Sequence, residues 1–395
     1  MIARLRPAVS FEELRAAVSR RPGAVAQFEQ SFASALGQRH ALAFPYGRTG
    51  LRLLLESLEI RGREIICPAY TCVVVAHAIV ASGNTPVFVD SRDDDFNMDL
   101  ELAVEAIGPR TAAIVPTSLF GYPVDLDALD RIRSANPSLR VIQDCAHSFG
   151  AAWHGRLVQR EGDAAVYGLN VSKIITSIFG GMVTTDSDDV AAALRATSAR
   201  TLKAAGKAKE IERLLYLGAS TLAFLPPVYR FVDELARRGV LGRFTDYYDE
   251  HVIDMPPDHL QAMAAVEGRV GVVQSRRYPE IVEHRRRIAA IYDEELQGVG
   301  GLRLPPTEGG ATYSHYVVRM QQADAAVETL RREGVQLGRL IEYVVPELAA
   351  YKGSAFLDRG IARAFPPLVV NLPVHMGVRP DAAHRIARLV AAAVR

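Results

Sequence analysis

The sequence predicts an α/β protein, a mostly parallel β-sheet flanked by helices with a smaller α/β domain at its C-terminal end. Short apolar runs alternate with amphipathic stretches between residues 25 and 185, the pattern of parallel strands joined by crossover helices. Polar or glycine-containing turns follow these runs at Thr49, Tyr70-Thr71-Cys72, Ser118-Leu119-Phe120 and Asp144. In parallel sheets, ligands gather at such C-terminal strand ends. After residue 256 the pattern changes to one long helix and then a second, shorter alternation.

In chain order, Phe11–Val18 and Val25–Leu36 carry apolar residues at helical spacing. A short strand within ALAF leads through Pro45-Tyr46-Gly47-Arg48-Thr49-Gly50 into a helix. Free amides at a helix N-terminus, a glycine-rich approach and a threonine hydroxyl suit an anion. The same residues also suit an ordinary turn capped by Thr49. Next come a strand at Ile65–Cys67, a helix at Cys72–Ala81 stopped by Gly83, and a strand at Pro86–Val89. A buried strand in TAAIVPTSLFG, a helix in DLDALDRIRSAN and a strand in LRVIQD complete the alternation.

Helices are expected over 186–208 and 210–243, the second broken at Pro226-Pro227. The basic run Arg195, Arg200, Lys203, Lys207 and Lys209 reads as a solvated helix face. A long helix should run from about Pro257 to Gln297. Beyond it, a strand near 314–320 and helices near Ala323–Glu333 and Pro380–Val394 form the small domain. The expected division is a large domain over 1–255, with a helical insertion at about 200–245, and a long connecting helix plus small domain over 256–395.

With 395 residues, two or three domains are expected. The 49% hydrophobic and 23% charged composition is that of a soluble globular protein. Lys+Arg 46 against Asp+Glu 45 leaves a net charge of +1, which gives no electrostatic case for nucleic acid or an anionic membrane surface. Cys67, Cys72 and Cys145 show neither metal-ligand spacing nor a disulfide framework, so a reducing cytoplasm and no metal are expected. The N-terminus lacks an apolar signal core. The most apolar windows, such as 72–81, are far shorter than the roughly 20 residues of a spanning helix.

Asp144 ends a buried strand in VIQDCAHSFG, and Lys173 stands in GLNVSKIITSIFGGMVTT with almost no other charge beside it. A lysine is nucleophilic at neutral pH only when desolvation or a nearby cation lowers its pKa. Such a lysine forms a Schiff base with pyridoxal 5′-phosphate, whose ring nitrogen then needs a carboxylate to stay protonated. Lys173 and Asp144, 29 residues apart, are the proposed pair.

In order, these pieces resemble the DegT/StrS-type sugar aminotransferase family of fold type I pyridoxal-phosphate enzymes. The resemblance is carried by FEQSFASALGQRHALAF, RTGLRLLL, PAYTCVVVAHAIVASGNTPVFVD, FNMDLELAVEAIGPRTAAIVPTSLFGYPVDLDAL, IQDCAHSFGA and SKIITSIFGGMVTT, and more weakly by HLQAMAAVEGRV and VVNLPVH. It implies that Lys173 binds the cofactor and shuttles the substrate proton. It also implies that Asp144 pairs with the ring nitrogen, that His147 lies at the phenolic oxygen or ring face, and that Arg48-Thr49-Gly50 holds the phosphate. Cys72, Asn170 and Ser172 would line the same site, and Gly180-Gly181 matches the glycine pair after the lysine loop. A homodimer with shared sites is implied too, with His251 and Asp254 in a segment near 247–259 reaching the partner's cofactor.

Four positions depart from the family pattern. Gly168 stands where the family has a phosphate-binding serine, and Cys72 where it has a ring-stacking aromatic. Ser118 replaces a histidine before Leu-Phe-Gly, and Asp254 falls where a partner-contacting asparagine is expected. A guanidinium binds phosphate in a bidentate fashion, so Arg48 could compensate for Gly168.

The implied reaction moves an amino group from a donor such as glutamate to a keto-sugar, nucleotide-linked, or to a related cyclic ketone. A dehydratase, an epimerase, a carbon–carbon bond-forming enzyme or a non-catalytic relative stays open; the family's dehydratases carry His where this chain has Lys173. A nicotinamide enzyme is excluded because no G-x-G-x-x-G follows the first strand.

Overall fold

The computed structural model describes residues 1–238, 252–306 and 309–394. Its centre is a mostly parallel sheet. Seven of its strands come from the first half of the chain: β1 (His40–Phe44), β2 (Glu64–Pro68), β3 (Thr85–Val89), β4 (Thr111–Ile114), β5 (Arg140–Asp144), β8 (Ala164–Gly168) and β9 (Gly181–Thr185). A small hairpin, β6 (Ala152–Trp153) with β7 (Arg156–Leu157), interrupts the series. The order across the sheet is β1, β9, β8, β5, β4, β2, β3. Only β9 runs against the rest, pairing antiparallel with both β1 and β8. The four central strands β2, β4, β5 and β8 are buried almost end to end, as strands covered on both faces must be.

Helices α1 (Phe11–Ala17), α2 (Ala24–Leu36), α3 (Gly47–Ser57), α4 (Val74–Ala81), α5 (Leu100–Glu105), α6 (Leu126–Ala135) and α7 (Asp188–Thr201) supply the covering layers. Phe28, Phe32, Leu102 and Leu129 of α2, α5 and α6 fill one apolar layer. Leu51, Leu54, Ile79 and Leu194 of α3, α4 and α7 fill the other. Helix starts follow local chemistry: Asp99, Asp125 and Ser187 each accept a hydrogen bond from a first-turn amide. Ser10 and Glu13 close a reciprocal capping box on α1.

The expected second alternation is present. Helix α10 (Ala265–Leu296) begins at Ala265 rather than near Pro257. Val272 and Ile281 on it belong to the large-sheet core, and Ile288 and Tyr292 to the layer shared with the small domain. Strands β10 (Leu302–Arg303), β11 (Tyr316–Met320) and β13 (Val369–Leu372) make an antiparallel sheet. Helices Ala323–Arg332 and Pro380–Ala393 pack beside it. We propose a domain division near residue 255, and two segments cross it in space. Strand β12 (Phe356–Leu357) adds to β3 at the edge of the large sheet, and Ile2 bridges Val335.

Residues 200–238 form two helices, α8 (Lys207–Ala223) and α9 (Pro226–Arg237). Here the expectation of a solvated basic face is overturned for Lys209. That side chain is buried, 4% exposed, and its ammonium lies 3.0 Å from Asp258. Arg213, one turn further and 2% exposed, reaches the same carboxylate at 2.6 Å. The helix is turned with charge inward because acids on a distant segment wait there. No helix among the described residues is long and apolar enough to cross a membrane.

Candidate active site

Strand β5 delivers Asp144 to the C-terminal edge of the sheet, where it is buried. Its carboxylate accepts hydrogen bonds from Thr117 Oγ1 at 3.1 Å and the Ala146 amide at 3.0 Å. Burial pushes this carboxyl above its ordinary range, against the opposing pull of the Ala146 amide, the Lys173 charge and the Thr117 hydroxyl. Among the described residues, no side-chain cation pairs with it directly. A buried carboxylate in that condition favours the arrival of a cationic group.

Lys173 belongs to the loop between β8 and β9, which side-chain hydrogen bonds tie shut. Asn170 Oδ1 accepts from the Ser172 amide at 3.0 Å and the Ser172 hydroxyl at 2.6 Å, and the Asn170 carbonyl accepts from the Lys173 amide. The Leu169 carbonyl takes the Thr176 hydroxyl at 3.1 Å and the Ser177 amide at 2.9 Å. Ile178 is held at a φ of 76°, a strained left-handed conformation that surrounding bonds must enforce. Lys173 is half-buried. Desolvation lowers its ammonium below the usual lysine range, although the charges of Cys72 and Asp144 pull the other way. Lowering it raises the share of neutral amine, the nucleophilic form.

Three glycines bring the turn before α3 against this loop. A Cβ on Gly47 would meet the Tyr167 carbonyl oxygen at 2.8 Å, and a Cβ on Gly181 would run into the Gly47 amide. A Cβ on Gly168 would lie 3.4 Å from Lys173 Cε. The N-terminus of α3 therefore rests directly on the backbone of β8 and β9, next to the lysine stem. A serine at 168, which the family resemblance leads one to expect, would bring its Cβ into ordinary van der Waals contact with that stem.

Thr49 is buried and donates its hydroxyl to the His259 carbonyl at 3.2 Å. Arg48 is buried as well, with Nη1 3.3 Å from the Asp254 carbonyl oxygen. The Asp254 amide donates to His77 Nδ1. The segment 252–264 thus lies over the turn Tyr46–Gly50 within the same chain. Cys72 is half-buried just before α4. His251 lies outside the described residues.

His147 is buried on the other side of Asp144's loop. Its ring stacks on Phe120 with centroids 6.2 Å apart, and Nδ1 accepts the Phe120 amide at 3.3 Å. That bond puts any single ring proton on Nε2. Burial, then the charges of Lys173 and His315, hold His147 well below its ordinary range, so it is neutral at pH 7.

Several residues here escaped the sequence reading. His315, at the start of β11, has its ring 5.5 Å from that of His147 and is also kept neutral by burial and by Arg285 and Lys173. Phe120 takes a φ of 58°, and its carbonyl accepts the His315 amide at 3.1 Å. Arg285 of α10 fixes this loop by donating to the carbonyls of Tyr313 and Ser314. The one available signal was the Ser314-His315 pair opening the SHYVVRM strand.

Tyr46, which precedes Gly47, anchors a second polar cluster. Its hydroxyl donates to Asp258 Oδ1 at 2.5 Å and accepts from Arg213 at 2.9 Å. Arg213 also lies 3.6 Å from the buried Glu267, whose carboxylate accepts the Gly180 amide.

The profile of the DegT/DnrJ/EryC1/StrS aminotransferase family matches residues 14–221 and 232–391. The chain belongs to this family. Among its relatives, GDP-perosamine synthase of Caulobacter vibrioides is 28% identical over 363 residues, covering 90% of this chain and 85% of the relative. The dTDP-3-amino-3,4,6-trideoxy-alpha-D-glucose transaminase of Micromonospora megalomicea is 28% identical over 380 residues, covering 93% and 88%. Among solved structures, DesI in the presence of its TDP-sugar product superposes with a TM-score of 0.77 at 25% identity, covering 100% of this chain and 93% of that one. Family membership accounts for the α/β fold and makes this chain an aminotransferase by descent.

Proposed function

We propose that this protein transfers an amino group from a donor such as glutamate to the keto group of a nucleotide-linked sugar, using pyridoxal 5′-phosphate bound at Lys173. The observation that carries the reading is the pairing of a buried carboxylate lacking a direct counter-cation with a half-buried lysine whose pKa is depressed. The residues fit the cofactor. Asp144 offers the charge a protonated ring nitrogen needs, the flat His147 ring lies on the same edge, and the α3 N-terminus with Thr49 and Gly50 suits a phosphate. Arg48 is close enough to the same turn to add charge, in place of the hydroxyl absent at Gly168.

When bound, the cofactor supplies a carbonyl that condenses with amines and a ring that accepts the electrons released at the substrate carbon. The chain's own work is narrower. Asp144 would hold a proton at the ring nitrogen, since a buried carboxyl gains from a cationic neighbour. The Lys173 Nζ, once freed, would take the proton from the substrate carbon and deliver it to the cofactor carbon two bonds away, across the shared nitrogen. Neutral His147 and His315 add no competing positive charge, and the small domain carrying His315 helps keep water from the reacting atoms.

Two relatives named for GDP- and dTDP-linked sugar products support a nucleotide-linked acceptor. A cytoplasmic homodimer is part of the same proposal, with the segment containing Asp254 near the subunit boundary. Incubating the yellow holoenzyme with glutamate alone should bleach its visible band and release 2-oxoglutarate in proportion to sites. A yellow enzyme that no amino donor bleaches would contradict transamination.

A further inference from the structure

Helix α8 buries two of its charged side chains, Lys209 and Arg213, and turns several of its apolar residues outward. Lys209, Arg213 and Leu217 form its buried stripe. Ile211, Leu215 and Leu222 stand on the opposite stripe, 58%, 68% and 60% exposed. The inversion continues into α9, where Phe231 is 65% exposed and Val228 also stands in solvent, while Tyr229 and Asp233 face inward. Twelve large apolar side chains are exposed among the described residues, and seven lie between Ile211 and Phe231. Singly scattered apolar residues need no explanation, but a concentration of this kind marks a surface that something covers.

The charges around this surface say what covers it. Lys203, Lys207, Arg230 and Arg237 are exposed along the two helices and their approach. Two acid side chains are exposed there as well, and both are already paired, Glu212 with Arg213 at 2.9 Å and Glu234 with Arg238 at 2.9 Å. Beside α8, Val18 and Leu214 share a groove with Arg20, Arg21 and Arg269. The surface is therefore an apolar ridge with a cationic border. Against a second copy related by a two-fold axis, that border would meet itself and repel. Nucleic acid would leave the leucines and phenylalanine wet. A bilayer with anionic headgroups satisfies both halves, since the ridge enters the headgroup–acyl boundary and the cations meet phosphates. The whole-chain charge of +1 averages this local arrangement away.

We propose that the outward face of α8 and α9 binds the surface of an anionic phospholipid bilayer, lying on the membrane rather than crossing it. The test is flotation of the full-length holoenzyme with vesicles of phosphatidylcholine alone or with about a third phosphatidylglycerol. The anionic vesicles should carry the protein, and binding should fall as salt is raised. Leu215→Glu with Phe231→Glu should reduce binding by about tenfold or more, and Lys207→Glu with Arg237→Glu, which keeps the ridge, should also reduce it. All four positions are exposed, and unchanged circular dichroism and melting will show that the variants fold. Equal flotation of wild type and both variants would overturn the proposal, as would no flotation of wild type with anionic vesicles. So would a drop in solution mass for Leu215→Glu with Phe231→Glu, which would make the face a subunit contact. None of these readouts depends on turnover or on the acceptor, so they fail independently of the aminotransferase reading.

Discussion

Two charge clusters, far apart along the chain, meet across the glycine seam between Gly47 and Gly168, and they are built on opposite plans. Around Tyr46, the cations Lys209 and Arg213 meet the acids Asp258 and Glu267, and the tyrosine hydroxyl closes the set. At the sheet edge, Asp144 is buried with two neutral hydrogen-bond donors and feels Lys173 only through space. The closed cluster holds the insertion onto the turn Tyr46–Gly50. The open cluster is held ready for a group the chain does not supply. A buried ion set whose charges balance serves structure, and one left unbalanced at a strand end is where chemistry is expected.

The contrast breaks most clearly at Asp144. Asp144→Asn should lower turnover by about 10² to 10³-fold, the size seen when one preorganised electrostatic partner is lost. The same change should stabilise the cofactor-free protein at neutral pH. With the folded pKa raised above the unfolded one, the folded state holds the extra proton, so wild-type stability falls as pH rises through that window. Melting curves of apo wild type and variant should therefore converge in acid and separate toward neutral pH. A variant less stable than wild type at pH 7 would show that Asp144 is structurally compensated after all.

Asp258→Asn should behave in the opposite way. Burial would raise this carboxyl, but the Tyr46 and Lys209 hydrogen bonds and the charges of Lys209 and Arg213 win and hold it below the ordinary range. Its contribution is thus present above the unfolded pKa and is lost as pH falls through the lower folded one. Removing it leaves two buried cations short of a partner, at a cost of about 3 kcal/mol in denaturant melts. No loss of stability would mean the cluster is solvated.

Gly47→Ala tests the seam between the two regions. A methyl against the Tyr167 carbonyl has no room, and about 1 to 3 kcal/mol of stability should go, together with cofactor retention on dialysis. Thr49→Ala should be the mildest, weakening cofactor affinity measured by equilibrium titration by about 1 kcal/mol, roughly fivefold. If Thr49→Ala leaves affinity unchanged, its hydroxyl serves only the His259 carbonyl.

The same contrast separates what could be read in the sequence from what could not. The sheet was legible because apolar runs such as VIQD and TAAI alternate with amphipathic helices, and strand ends are marked locally by polar residues and glycines. Asp144 and Lys173 stood out for that reason, as an acid closing an apolar strand and a lone lysine among apolar neighbours. Lys209 was misread because a helix's charge pattern does not say which stripe faces inward. The deciding acid, Asp258, lies 49 positions away and enters only through tertiary packing. His315 was missed on the same grounds, since the small domain carries it to His147 from far along the chain. The φ of 58° at Phe120 is likewise imposed by the loop Tyr313–His315 rather than by its own neighbours.

The most direct measurement is to load the protein with pyridoxal 5′-phosphate, reduce it with borohydride and map the modified peptide. The chain has five lysines, Lys173, Lys203, Lys207, Lys209 and Lys352, so the answer is unambiguous. The open-cluster account predicts one cofactor per chain, fixed to Lys173, with none incorporated in Lys173→Ala. Fixation on any other lysine, or no uptake by the wild-type protein, would contradict it.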